Sequence, residues 1–148
     1  MGQISKQISF KAPVETVWKI WTDVEKTPDW VEGVKESKIV SATKYGPGLT
    51  WEERTVFANT PVEMEHKVVV WDEKKKTVTR TSLPMGATME KITEFRLSSI
   101  EGQTEVQIQI EWSLGVASMF ITDEKMAEMM EKSLDATALK WKRKAENR

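Results

Sequence analysis

The sequence has no cysteine, a single histidine (His66) and a single tyrosine in 148 residues. Without thiols there are no disulfides, no thiol nucleophile and no Cys/His zinc site, and one imidazole cannot build a metal centre that needs two. Charge of one sign is also lacking. Lys and Arg number 22 against 23 Asp and Glu, a formal net charge of −1, so no global field draws the molecule to nucleic acid or to an anionic membrane. Nucleic acid is therefore not an expected partner. Long apolar runs are missing too: residues 68–71 and 116–121 are the strongest, far short of the roughly 20 residues of a spanning helix. The first six residues contain no apolar stretch of signal-peptide length, and Lys6 stands where a myristoylation motif wants Ser or Thr. These absences predict a cytoplasmic protein with no stable membrane insertion. HExxH, GxSxG, P-loop, Rossmann and EF-hand patterns are all absent, and no cofactor or metal is expected.

What the chain does have is apolar surface of a soft and aromatic kind, with eight Met and seven Trp. Its 39% hydrophobic and 30% charged residues suit one domain over residues 1–148. Ile4, Ile8 and Phe10 alternate as in a strand, and Pro13 then opens a short helix whose face carries Val14, Val17, Trp18 and Trp21. A second short helix is expected from Pro28, carrying Trp30 and Val31 and ending at Gly33. From Val34 to Leu114, β-rich runs separated by turn residues predict a meander of about six antiparallel strands. In the last of them Thr104, Val106, Ile108, Ile110, Trp112 and Leu114 alternate with polar residues, so one face is buried. Val62, Met64, His66, Val68 and Val70 likewise share a face, which points His66 inward. A final helix over residues 123–145, with Thr122 or Asp123 as N-cap, carries the stripe Met126, Met130, Leu134, Ala138 and Trp141.

The segment Ile8-Ser9-Phe10-Lys11-Ala12-Pro13-Val14-Glu15-Thr16-Val17-Trp18-Lys19-Ile20-Trp21-Thr22-Asp23 resembles the opening of the START-like, Bet v 1-like (SRPBCC) superfamily, in particular its polyketide cyclase/dehydrase branch. Similarity continues in Pro28-Asp29-Trp30, Gly48, Val70-Trp71-Asp72 and Gly102-Gln103-Thr104-Glu105-Val106, and so covers essentially the whole chain. The resemblance implies an α+β helix-grip fold: a seven-stranded curved antiparallel sheet, two short helices and a long C-terminal helix. It implies a largely apolar pocket for a lipid, sterol, polyketide, isoprenoid quinone or similar ligand, and a role as carrier, sensor or presenting protein. Two other readings follow from the same superfamily. One is a polyketide cyclase or aromatase-like enzyme; the other is a surface-mediated interaction module related to the Hsp90 ATPase activator. A pocket of this kind calls for a cavity of about 300 Å³ or more.

Strand periodicity supplies the candidate residues. Glu53, with Trp51 and Phe57 as face-mates, His66 and Arg80 fall on three consecutive strands and would form an inward polar network. They could bind a ligand oxygen, or His66 could act as general base oriented by Glu53. A structural histidine beside a salt bridge gives the same pattern. Met126, Met130 and Leu134 from the helix are expected to face Met64, Phe95, Ile110, Trp51 and Trp112 from the sheet across the cavity. Methionine suits such a lining because its thioether repacks around different guests, although a plain core also uses it. The loop Ser82-Leu83-Pro84-Met85-Gly86-Ala87 is similar to the gating loop of plant abscisic-acid receptors, which implies Leu83 and Met85 as lid contacts; a simple Pro-Gly turn is the alternative.

Overall fold

The computed structural model describes residues 2–146, except Ala58 and the side chain of Phe57. Seven strands form one antiparallel sheet: β1 (Gly2–Phe10), β2 (Val34–Ile39), β3 (Thr50–Phe57), β4 (Thr60–Asp72), β5 (Lys76–Ser82), β6 (Thr88–Leu97) and β7 (Thr104–Ser113). Their order, β1-β7-β6-β5-β4-β3-β2, is a meander from β2 to β7 with β1 returning to pair with β7. Helix α1 (Val14–Thr22) and a 3-10 turn (Val24–Asp29) lie between β1 and β2, and α2 (Asp123–Ala145) closes the chain.

The second short helix differs from expectation. It begins at Val24 rather than Pro28, and Pro28 lies inside it, leaving Trp30 as its C-cap. The break expected at residues 23–27 is stitched by Thr27, whose hydroxyl donates to the Val24 carbonyl at 2.5 Å. Further 3-10 turns cover Pro84–Gly86 and Gly115–Met119.

Pleat alternation places the core. Ile4, Ile8 and Phe10 of β1 and Val106, Ile108, Ile110 and Trp112 of β7 are buried on one side, against α2. The α2 stripe comes out as the spacing predicts: Met126, Met130, Ala138 and Trp141 are buried and Leu134 is half-buried. The Thr122 side chain caps the helix by accepting from the Lys125 N–H at 3.1 Å. Pairs with the rest of the chain seat it: Lys6 to Asp135 at 2.7 Å, Lys140 to Glu32 at 2.6 Å, and the Glu32 N–H to the Thr137 hydroxyl at 3.1 Å.

Two bulges interrupt the ladder, between Val34 and Glu36 on β2 and between Val68 and Val70 on β4. An extra residue inverts the facing of everything beyond it. Val70, expected inside, is therefore 42% exposed, and Trp71 turns into the core.

Candidate functional site

A cavity of about 170 Å³ lies between the concave face of the sheet and α2. Its helical wall is Met130, Leu134, Ala138 and Trp141. Trp21 of α1 and Trp30 close one side, and Trp141 packs on both, stacked on Trp21 (centroids 4.9 Å apart, planes at 19°) and tilted on Trp30 at 5.1 Å. Across the sheet the inward residues become polar. β3 contributes Trp51, Glu53 and Thr55, β4 Met64 and His66, β5 Thr77 and Thr79, and β6 Met89 and Lys91. The cavity thus has an aromatic and methionine side and a side of hydroxyl and charged groups.

Glu53 and His66 meet here with their side chains only 10% and 8% exposed, Glu53 Oε1 lying 3.2 Å from His66 Nε2. His66 Nδ1 shares a 2.7 Å hydrogen bond with the Thr81 hydroxyl, and its ring stacks on Trp51 at 5.0 Å. The imidazole is thereby fixed from three directions. Burial pushes the Glu53 carboxyl up, but the hydrogen bond and charge of His66, helped by the charge of Lys91, outweigh it and hold the group below the usual carboxylate value. Lys91 is governed by desolvation, which lowers its ammonium below the ordinary lysine value; the Glu53 charge opposes this only in part. The Lys91 Nζ lies 5.5 Å from the centroid of the Trp21 ring, a cation–π distance. Chemically the cluster offers a carboxylate, an imidazole and an ammonium facing one small space, which can hold an oxygenated group or exchange a proton with it.

The sequence-based candidates separate into two groups. Trp51, Glu53, Met64, His66, Ile110, Met130 and Leu134 line the cavity. Arg80 does not: it lies on the outer face, paired at 3.2 Å with Glu90, its side chain 69% exposed. The inner face of β5 is Thr77, Thr79 and Thr81, so the facing inferred from Val78 was inverted. Phe95 and Met126 face inward but are consumed by packing; Phe95 sits edge-on to Trp18 at 5.1 Å. Trp112 is buried at the end of the sheet, where its indole N–H donates to Asp123 at 3.1 Å. Leu83 borders a second groove, which shares Glu53 and Met64 with the cavity, and Met85 is 47% exposed, so neither lines the cavity itself. The Phe57 side chain lies outside the described residues. Lys91, Thr77, Thr79, Trp21 and Trp30 line the cavity without having been expected there. The signal for Lys91 was present: Thr93 and Phe95 point inward, and Lys91 is two residues before Thr93.

A curved seven-stranded sheet gripping a long C-terminal helix over a cavity defines the helix-grip class. The chain belongs to the family described as Polyketide cyclase / dehydrase and lipid transport, whose model matches residues 1–146. Among solved structures it is similar to a START superfamily protein from Mycobacterium smegmatis (TM-score 0.80, 16% identity, 99% of each chain covered). It is also similar to Ara h 8.0201 (TM-score 0.73, 14% identity, 99% of this chain and 98% of that one). A third likeness is to the Zhui aromatase/cyclase from a Streptomyces species (TM-score 0.72, 14% identity, 97% of this chain and 90% of that one). At such identities the likeness is one of fold. No curated protein matches the sequence. Among the described residues no helix is long and apolar enough to cross a membrane.

Proposed function

We propose that the protein binds a compact hydrophobic small molecule in the cavity between its sheet and α2, as a carrier, sensor or presenting protein. The observation that carries this reading is a buried space with one aromatic side and one polar side, framed by a family whose description includes lipid transport. Its size narrows the ligand. At about 170 Å³ the cavity is smaller than the about 300 Å³ or more expected from the sequence, which disfavours a sterol-, quinone- or polyketide-sized ligand. It matches instead the scale of an engineered cavity of about 150 Å³ that holds benzene. As it stands the site accepts a single-ring guest, and a larger one enters by swinging aside Met89 and Met130, whose unbranched thioether chains repack readily, and the half-buried Leu134.

Thermal denaturation in the presence of small aromatic, isoprenoid and polyketide compounds tests this. A binder at 100 times its Kd adds about 2.7 kcal/mol of stability. At least one compound class is expected to raise the Tm of the wild type and not of Ala138→Phe, which fills the helical wall. Identical melting with every compound would reject the reading.

The Glu53–His66 pair favours a second reading, cyclase-like catalysis in which His66 moves a proton and Glu53 orients it. Turnover of a poly-β-keto probe that vanishes in His66→Ala supports it; full turnover in that variant removes the assigned base.

A further inference from the structure

Lys91 is the one cavity residue whose charged group the fold does not answer with a close partner. Its neighbours on the inner face of β6 are Met89 and Thr93, and across β5 it pairs with Thr79. Its ammonium makes no hydrogen bond or ion pair among the described residues and rests 5.5 Å from the Trp21 ring centroid. Glu53, which shares the cavity, is already engaged by His66 at 3.2 Å. Lys91 is half-buried, and an ammonium that faces a cavity with no carboxylate in contact is costly to the fold unless something else supplies the counter-charge.

Resting on the cavity-binding reading above, we propose that Lys91 is the anchor for the ligand's acidic oxygen, so that the ligand is a small hydrophobic carboxylic acid. The carboxylate takes the ammonium in a charge-assisted hydrogen bond, the neighbouring hydroxyl of Thr79 is placed to donate to its second oxygen, and the apolar body lies toward Trp21, Trp30 and Met130. The aromatic side then selects the body and Lys91 the head. Since Lys91 has no carboxylate in contact, Glu53 being engaged by His66, most of the discrimination between an acid and its neutral analogue falls on this residue.

The test uses 3-phenylpropanoate and its neutral analogue 3-phenylpropan-1-ol, each titrated by NMR into the full-length protein at pH 7. Wild type is expected to bind the acid at least tenfold more tightly than the alcohol. Lys91→Met is expected to bring the two Kd values within about twofold of each other; if Lys91→Met does not fold, Lys91→Gln provides the same comparison. No preference for the acid in wild type, or a preference that survives loss of the amine, overturns the anchor and leaves the cavity reading standing. Failure of wild type to bind either compound overturns both.

Discussion

Replacing Glu53 by Gln removes a carboxylate from the cavity wall while keeping its shape, and leaves the other, Glu32, paired with Lys140. In the wild type that carboxylate, 10% exposed, offsets His66 at 3.2 Å and contributes the charge that partly supports Lys91. Removing one partner of a buried polar pair leaves the other unsatisfied and costs about 1–3 kcal/mol. For a chain of this size 1 kcal/mol moves the Tm by about 3–4 °C, so Glu53→Gln should melt about 3–10 °C below wild type at pH 7. Lys91→Met should be neutral or stabilising, since it removes a desolvated ammonium whose ordinary value burial lowers. In the Lys91→Met background Glu53→Gln should cost about 1–2 kcal/mol less than in wild type, the coupling between the two sites. The pH dependence follows from the direction of the Glu53 shift. Its folded value lies below its ordinary 4.5, so its stabilisation is complete above that pH and disappears as pH falls through the folded value. Wild type and Glu53→Gln should therefore converge in acid. Calorimetry of the four proteins from pH 3 to 8 checks this; equal Tm values at pH 7, or a Glu53→Gln cost unaffected by Lys91, would refute the electrostatic account of the site.

Three further outcomes are expected. Trp141→Ala empties the centre of the aromatic cluster, where Trp141 has no exposed surface and touches Phe10 edge-on at 4.8 Å, so urea denaturation should show a loss of about 3–5 kcal/mol. Thr122→Ala removes the α2 cap and should cost about 1 kcal/mol by the same measurement, with ligand binding unaltered. Gly115→Ala should lower the Tm by several degrees. Its φ of +57° is strained for alanine, and an added Cβ would sit 2.7 Å from the Gly86 carbonyl oxygen, where the two loops meet.

How far the sequence could be read depended on whether polarity alone marks the inside. It does on β7, whose aliphatics alternate with Glu and Gln, and on α2, whose stripe is separated by charged residues, so the frame of the fold was legible. It does not on β5, where Val78 is the only aliphatic between Lys76 and Ser82. Valine suggested the inner face, yet Thr77, Thr79 and Thr81 occupy it, the Thr77 hydroxyl accepting from Trp21 and the Thr81 hydroxyl bonding His66. That inversion put Arg80 in the site and hid Thr79. The β4 bulge had a similar effect on Val70 and Trp71, because a bulge changes the facing without leaving a mark in the alternation. Lys91 escaped notice since a charged residue on a strand is ordinarily a solvated one. His66 and Glu53 were legible because both lie on strands with strong neighbours, Trp51 and Val68, before any bulge.

The central claim, that the space between sheet and α2 takes a hydrophobic guest, is tested most directly by native mass spectrometry of the intact protein, as purified and after incubation with the compound classes above. The account predicts a 1:1 adduct on the 17.0 kDa chain that is lost in Ala138→Phe. A bare 17.0 kDa mass under every condition, or an adduct that persists unchanged in Ala138→Phe, would contradict it.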